Sequence, residues 1–63
     1  MRVNGKIVEY APLTLLDYLR REGFNPAYVV VERNREIITR ERFGDVALCP
    51  EDEINILRFM GGG

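Results

Sequence analysis

Hydrophobic and polar residues alternate along most of this chain, and one short segment instead repeats its apolar residues at helical spacing. Near the start, the alternation surrounds Asn4-Gly5. Asn-Gly between two such runs is a strong hairpin signal, because a type I′ turn needs positive φ at both central residues. A two-residue turn pairs Val3 with Lys6. The pattern therefore predicts a β-hairpin over residues 1–10.

The segment with helical spacing follows this hairpin. Its apolar stripe consists of Leu15, Leu16 and Leu19. Thr14 is a suitable N-cap residue, because its hydroxyl oxygen can accept a hydrogen bond from an N–H of the first turn. Gly23 suits the left-handed position that follows many helices. The pattern predicts one amphipathic helix over about residues 15–22.

The second half of the chain reads as further strands and turns. Residues 28–33 are rich in β-branched side chains and predict the clearest strand. Asn34-Arg35 predicts a turn, and residues 36–38 a short strand after it. We interpret residues 39–47 as a loop or a short irregular strand, and residues 53–60 as the final strand.

The predicted order is therefore β-β-α-β-β-β, which is compatible with an α+β domain in which a mixed sheet of four to five strands covers one main helix. A right-handed crossover would place the last strand beside the first. That arrangement is the β-grasp, or ubiquitin-like, fold. We predict one domain over residues 1–60, followed by a flexible glycine tail at residues 61–63. The expected core consists of Val3, Leu15, Leu16, Leu19, Val31, Ile54 and Ile56.

The last strand carries apolar residues of both parities. If its two isoleucines face the helix, the period of two sends Leu57 and Phe59 to the opposite face. A large apolar pair on an open sheet face predicts a docking surface for partner proteins, with Val30 and Arg58 nearby. The alternative is that Leu57 and Phe59 pack beneath the segment 39–47.

Composition and charge exclude several classes of function. Nine basic and ten acidic residues are interspersed, which argues against nucleic acid as a partner. No apolar run approaches the roughly 20 residues that span a bilayer, so we expect no membrane association. The alternating sequence begins at Met1, and we expect no signal peptide.

Few residue types suited to catalysis or metal binding are present. The chain has one cysteine and no histidine, so we expect no metal site, no internal disulfide and a reducing cytoplasm. Cys49 could be a relay thiol, but a single cysteine after an apolar residue is more often a small buried hydrophobe. Tyr18 and Tyr28 are expected to pack within the fold rather than to contact partners.

The glycines at the end of the sequence suggest a reactive group of a different kind. Gly61, Gly62 and Gly63 carry no side chains, so they can thread a channel too narrow for other residues and extend roughly 10 Å beyond Met60. A terminal carboxylate has a pKa of about 3.3–3.7 and is ionised at neutral pH. We therefore expect the Gly63 carboxylate to react with an activated phosphate. The alternative is a frayed end.

These features together resemble the ThiS family of thiamine-biosynthesis sulfur carriers, within the ThiS/MoaD/ubiquitin-like group. The resemblance covers essentially the whole chain. It is carried by Val3-Asn4-Gly5, residues 14–19, residues 31–38, Glu41-Arg42-Phe43, Leu48-Cys49 and residues 54–63. Two features depart from the pattern of many relatives. Pro50-Glu51-Asp52 stands where they have Gly-Asp, and three terminal glycines replace two.

The resemblance implies a protein cosubstrate that has no catalytic residues and no bound cofactor of its own. An E1-like adenylating enzyme of the ThiF type would use ATP to convert the Gly63 carboxylate to an acyl-adenylate. A cysteine desulfurase would supply the sulfur that replaces AMP and leaves a thiocarboxylate. A thiazole synthase of the ThiG type would then take up this sulfur, while Gly61 and Gly62 thread the partners' active sites.

Three other functions stay open on the sequence alone. The chain could carry sulfur for molybdopterin or for another thiolated product, although such relatives tend to be longer. It could be a ubiquitin-like modifier, which would use the same tail but form an isopeptide. It could also be a purely structural interaction module with an incidental tail.

Overall fold

The structure, a computed structural model, describes residues 1–59, and the predicted tail 61–63 lies outside this range. The strands are β1 (Arg2–Val3), β2 (Lys6–Ile7), β3 (Val29–Arg33), β4 (Glu36–Ile38) and β5 (Glu53–Arg58), and the main helix is α1 (Leu15–Arg21). The five strands form one sheet in the order β2-β1-β5-β3-β4. β5 pairs in parallel with β1 and antiparallel with β3. The predicted β-grasp order, with the last strand beside the first, is confirmed.

Both hairpins turn through two residues with positive φ. Asn4 and Gly5 have φ values of 52° and 82°, and the turn pairs Val3 with Lys6 as predicted. Asn34 and Arg35 have φ values of 51° and 70° and connect β3 to β4. This backbone twist matches that of the flanking strands, which is why such short turns suit hairpins.

Helix α1 begins and ends through local hydrogen bonds. The Thr14 hydroxyl accepts a hydrogen bond from the Asp17 N–H at 3.2 Å. At the other end, Gly23 has a φ of 84°, and the Phe24 N–H donates to the Leu19 carbonyl at 2.8 Å. This is a Schellman motif, and it fixes where Phe24 lies. Among residues 1–59, no helix is long and apolar enough to cross a membrane.

Most of the predicted core is buried between α1 and one face of the sheet. Leu15, Leu19, Val31, Ile54 and Ile56 are buried, whereas Val3 and Leu16 are only partly buried at its margin. The core also contains Tyr18, which we expected to pack within the fold. It further contains residues that the pattern did not indicate: Val29, Ile38, Phe43, Val46 and Leu48.

The segment 39–47 is helical where we expected a loop or an irregular strand. A 3₁₀ helix spans Arg40–Asp45 and buries Phe43 almost completely. The segment that follows is tied to the start of α1, because the Val46 carbonyl accepts a hydrogen bond from the Leu15 N–H at 2.8 Å. The burial of the Phe43 ring and the hydrogen bond between Val46 and the start of α1 therefore determine this conformation. The spacing of apolar residues in the segment does not predict it.

Asp52 is a buried carboxylate that joins three segments. One oxygen accepts hydrogen bonds from Arg33 Nε at 2.9 Å and from the Cys49 N–H at 2.8 Å, and the other accepts from Asn34 Nδ2 at 3.1 Å. Burial opposes ionisation, but these hydrogen bonds and the Arg33 charge outweigh it and hold the pKa of Asp52 below its usual value. The carboxylate thereby ties the β3–β4 turn to the start of β5.

Cys49 is exposed, so its expected place as a small buried hydrophobe is wrong. Its neighbour Leu48 occupies the inward position instead. The Cys49 backbone donates to Asp52, and its thiol lies 3.7 Å from Arg33 Nη2. The turn at Asp52 therefore holds the cysteine at the surface.

Replacing a core residue should destabilise the domain strongly. Ile56→Ala should lower the free energy of unfolding by about 2–5 kcal/mol, because it leaves a cavity beneath α1. Leu57→Ala, at the adjacent exposed position, is the matched control and should change stability by about 0.5 kcal/mol or less. Urea denaturation of both variants measures the difference. Equal stability of the Ile56→Ala variant and the wild type would contradict this core assignment.

Asp52 should make the stability of the domain depend on pH in the acid range, below its unfolded-state pKa. Its folded-state pKa lies below the unfolded value of about 3.9. The stabilisation is therefore complete above that value and is lost as pH falls through the folded-state pKa. Asp52→Asn should be less stable than the wild type at pH 7, and the gap should narrow in acid. Thermal melts of both proteins from pH 7 down into acid test this prediction. A difference in stability that does not change with pH would exclude the Asp52 carboxylate as its cause.

Candidate docking surface

The two faces of β5 have opposite environments. Ile54 and Ile56 point toward α1 and are buried. Leu57 is 66% exposed, and Phe59, directly after the strand, is 47% exposed. Phe59 continues the strand's pairing, because its N–H donates to the Tyr28 carbonyl at 3.0 Å. The period of two therefore divides β5 between the core and the open face of the sheet.

Neighbouring strands extend the apolar area around Leu57. In the sheet register, Val30 on β3 stands opposite Leu57 on β5, and it is 38% exposed. Ile37 on the edge strand β4 stands opposite Glu32 and is 59% exposed. Val30, Ile37 and Leu57 line one shallow depression. We call these residues, together with Phe59, the open-face patch.

Sequence reasoning did not include Ile37 in this patch. Ile37 and Ile38 are both apolar, so alternation alone does not say which one faces the core. The hairpin register does say so, because a two-residue turn at Asn34-Arg35 pairs Arg33 with Glu36 and therefore Glu32 with Ile37. Ile37 must then share a face with Glu32, and Ile38 must share one with Val31.

Arg58 does not lie with the other residues of the predicted docking surface. It has the parity of the buried isoleucines in β5, so it points toward the helix side of the sheet. Its guanidinium carbon stacks 4.6 Å from the centre of the Phe24 ring. The expectation that Arg58 lies on the same face of the sheet as Leu57 is therefore wrong, although Arg58 is only a few residues from the terminal glycines in the sequence.

The alternative in which Leu57 and Phe59 pack beneath the segment 39–47 is wrong for Leu57. Phe59 is 47% exposed and borders a depression that Thr39 and Glu41 also line. Phe43 directs this segment to the core on the helix side, and Leu57 stays exposed. Tyr18 packs in the core as expected, and burial is the main reason that its pKa is raised. Tyr28 packs edge to face against Phe59, with ring centres 6.3 Å apart, but remains about half exposed.

The described part of the chain contributes an exposed apolar sheet face. Within residues 1–59, no three His, Cys, Asp or Glu side chains are arranged to hold a metal ion. Gly61, Gly62 and Gly63, which we predict to thread a partner and to carry the reactive carboxylate, lie outside the described residues. What the geometry contributes is an apolar sheet face on the strand that leads directly to them.

Comparison with known proteins identifies the group to which this fold and surface belong. The model of the ThiS family matches residues 1–63. The chain belongs to the ThiS family.

Individual members of the ThiS family agree in sequence and in structure. The sulfur carrier protein ThiS of Bacillus subtilis is 42% identical over 65 residues, which cover 100% of this chain and 98% of that protein. The crystal structure of the thiamine biosynthesis protein ThiS from Geobacter metallireducens superposes with a TM-score of 0.77 at 36% identity, covering 98% of this chain and 96% of that one.

Part of a much longer protein is also similar to this chain. A thiazole synthase of Magnetococcus marinus is 42% identical to this chain over 53 residues, which cover 84% of the chain but only 16% of that protein. A segment similar to this chain is therefore part of a much longer polypeptide in that organism.

Proposed function

We propose that this chain carries sulfur for thiazole formation in thiamine biosynthesis and that its Gly63 carboxylate is the sulfur-carrying group. The observation that carries the proposal is the similarity over its whole length to a protein named as a sulfur carrier. The terminal glycine sequence supports it, because these residues offer a partner only backbone and a carboxylate. The protein is then a cosubstrate on which partner enzymes act.

Activation of the carboxylate supplies the chemistry. A carboxylate oxygen of Gly63 attacks the α-phosphate of ATP, and pyrophosphate leaves. The resulting acyl-adenylate is a mixed anhydride with AMP as a good leaving group. A thiol reductant reduces the persulfide of the desulfurase by two electrons and releases sulfur at the level of sulfide. This sulfur attacks the acyl carbon and AMP departs, which leaves a thiocarboxylate. ATP belongs to the adenylating partner, of the E1-like ThiF type, and a cysteine desulfurase supplies the sulfur.

A thiazole synthase of the ThiG type is the proposed acceptor of this sulfur. The Magnetococcus marinus protein supports it, since a segment similar to this chain occurs within a protein named as that enzyme. We place these steps in the cytoplasm, where an exposed thiol such as Cys49 is kept reduced.

The open-face patch is the proposed docking surface for these partners. In this proposal, docking fixes the position of the end of β5 while residues 61–63 enter the partner's channel. Ordering three residues costs about 1–2 kcal/mol each in conformational entropy. This cost favours weak and reversible complexes, as a carrier that visits several partners requires.

Intact mass is the direct test of the carrier function. After incubation with the cognate adenylating enzyme, ATP, cysteine, the desulfurase and a thiol reductant, the protein should exchange one oxygen for one sulfur. Omission of ATP is the control and should leave the mass unchanged. A new isopeptide product in place of the thiocarboxylate would instead identify a protein modifier.

The position of the carboxylate should be critical. Deletion of Gly63 shortens the reach by about 3.3–3.6 Å, which is more than an attacking pair of atoms tolerates. Gly62→Val should fail by steric exclusion from a narrow channel. Both variants should fold and dock but support no pyrophosphate exchange. Wild-type exchange by the shortened chain would remove the main support for a reaction at Gly63.

The patch should control docking rather than folding. Leu57→Ala and Phe59→Ala should each raise the KM of the adenylating enzyme for the carrier, by roughly 10-fold for a loss of about 1–2 kcal/mol of apolar contact. The matched control is Ile7→Ala, which truncates an exposed isoleucine on the edge strand β2. Unfolding of the Phe59→Ala variant without a separable binding defect would make Phe59 a core residue.

A further inference from the structure

One carboxylate, that of Glu32, lies beside the open-face patch on the same face of the sheet. Glu32 lies on β3 between Asn55 of β5 and Ile37 of β4 in the sheet register. It lines the same depression as Val30 and Leu57 and is itself half-buried. An apolar partner surface that covers Leu57 and Ile37 therefore also covers Glu32.

The Glu32 carboxylate is held in place before any partner arrives. Asn55 Nδ2 donates a hydrogen bond to Glu32 Oε1 at 3.1 Å. The two ion pairs within residues 1–59 are Arg21 with Glu22 and Arg33 with Asp52, and neither includes Glu32. In the described part of the chain, the charge of Glu32 is therefore compensated by one amide and by solvent.

Docking removes that solvent. A carboxylate that loses its water without gaining a counter-charge strongly opposes association. The same carboxylate favours association when a cationic donor meets it, and charged pairs at the centre of an interface discriminate between partners more than those at the rim. Glu32 therefore restricts which surfaces can cover the open-face patch.

We propose that the surface covering the open-face patch is apolar and carries a lysine or arginine that pairs with Glu32, and that this surface belongs to the thiazole synthase. The inference rests on the proposed function. The synthase is favoured as the occupant because a segment similar to this chain is part of the same polypeptide as that enzyme in Magnetococcus marinus. Glu32 is then a specificity residue for docking and takes no part in the chemistry.

The test is the Kd between the full chain and its cognate thiazole synthase, measured by titration calorimetry at low and at high ionic strength. Glu32→Gln removes the charge but retains an oxygen that can accept the Asn55 hydrogen bond. It should weaken binding by roughly 10- to 100-fold, the range for a hydrogen bond to a charged group. It should also flatten the salt dependence. Glu32→Lys should weaken binding further.

Glu36→Gln and Glu36→Lys are the matched controls. They make the same changes in net charge at an exposed position on the same hairpin, but on the other face of the sheet. They should leave the Kd within about twofold of the wild type, an expectation for a charge outside the contact. If the Glu32 and Glu36 variants lost the same amount of affinity, the cause would be long-range attraction between the net charges of the two proteins. That result would overturn the proposed pair between Glu32 and a cation of the synthase.

Two further outcomes would overturn the proposal. If Glu32→Gln binds the synthase as tightly as the wild type or more tightly, no cation meets the carboxylate. If the variants weaken binding to the adenylating enzyme but not to the synthase, the assigned occupant is wrong. The carrier function is judged separately by formation of the thiocarboxylate, so either failure leaves that result standing.

Discussion

The pairing of β5 with β1 and β3 at the centre of the sheet is the constraint on which the rest of the structure depends. A strand in this position has both edges bonded, and its side chains can only point to one face or the other. Ile54 and Ile56 therefore complete the core beneath α1, and Leu57 is left on the open face. A single strand thereby stabilises the fold, forms part of the proposed docking surface and precedes the end of the chain that we propose to be reactive.

A domain of this size has little surface to bury, so its loops contribute to the core. Chains of about 60 residues bury only about 60% of the surface that they expose when unfolded. Phe43, in the 3₁₀ helix after β4, adds a fully buried aromatic ring. Asp52 ties the turn of the second hairpin to the start of β5 through polar contacts. Together these contacts hold the long connection between β4 and β5 against the sheet and α1.

The proposed function needs a surface that binds several partners and releases each of them. An apolar patch contributes affinity for many partner surfaces. A fixed carboxylate beside it disfavours binding to any surface that lacks a cation. Glu32 and Leu57 stand diagonally to each other on adjacent strands, line one depression and have these opposite effects. Affinity and discrimination can therefore be adjusted independently on one sheet face.

Local signals in the sequence by themselves determined the hairpins, the helix and the two faces of β5. Asn4-Gly5 needs positive φ, Gly23 ends the helix, and the alternation from Ile54 onward assigns each side chain to a face. These signals act between neighbours in the chain. The family was predicted separately, from the resemblance of sequence motifs along the whole chain. What they could not predict were the burial of Phe43, the exposure of Cys49 and the stacking of Arg58 on Phe24. Each of these depends on which distant segment fills the adjacent space: α1 receives Phe43, Asp52 turns Cys49 outward, and Phe24 stacks on Arg58. Only the tertiary structure decides such contacts, because they join residues that the local sequence does not relate.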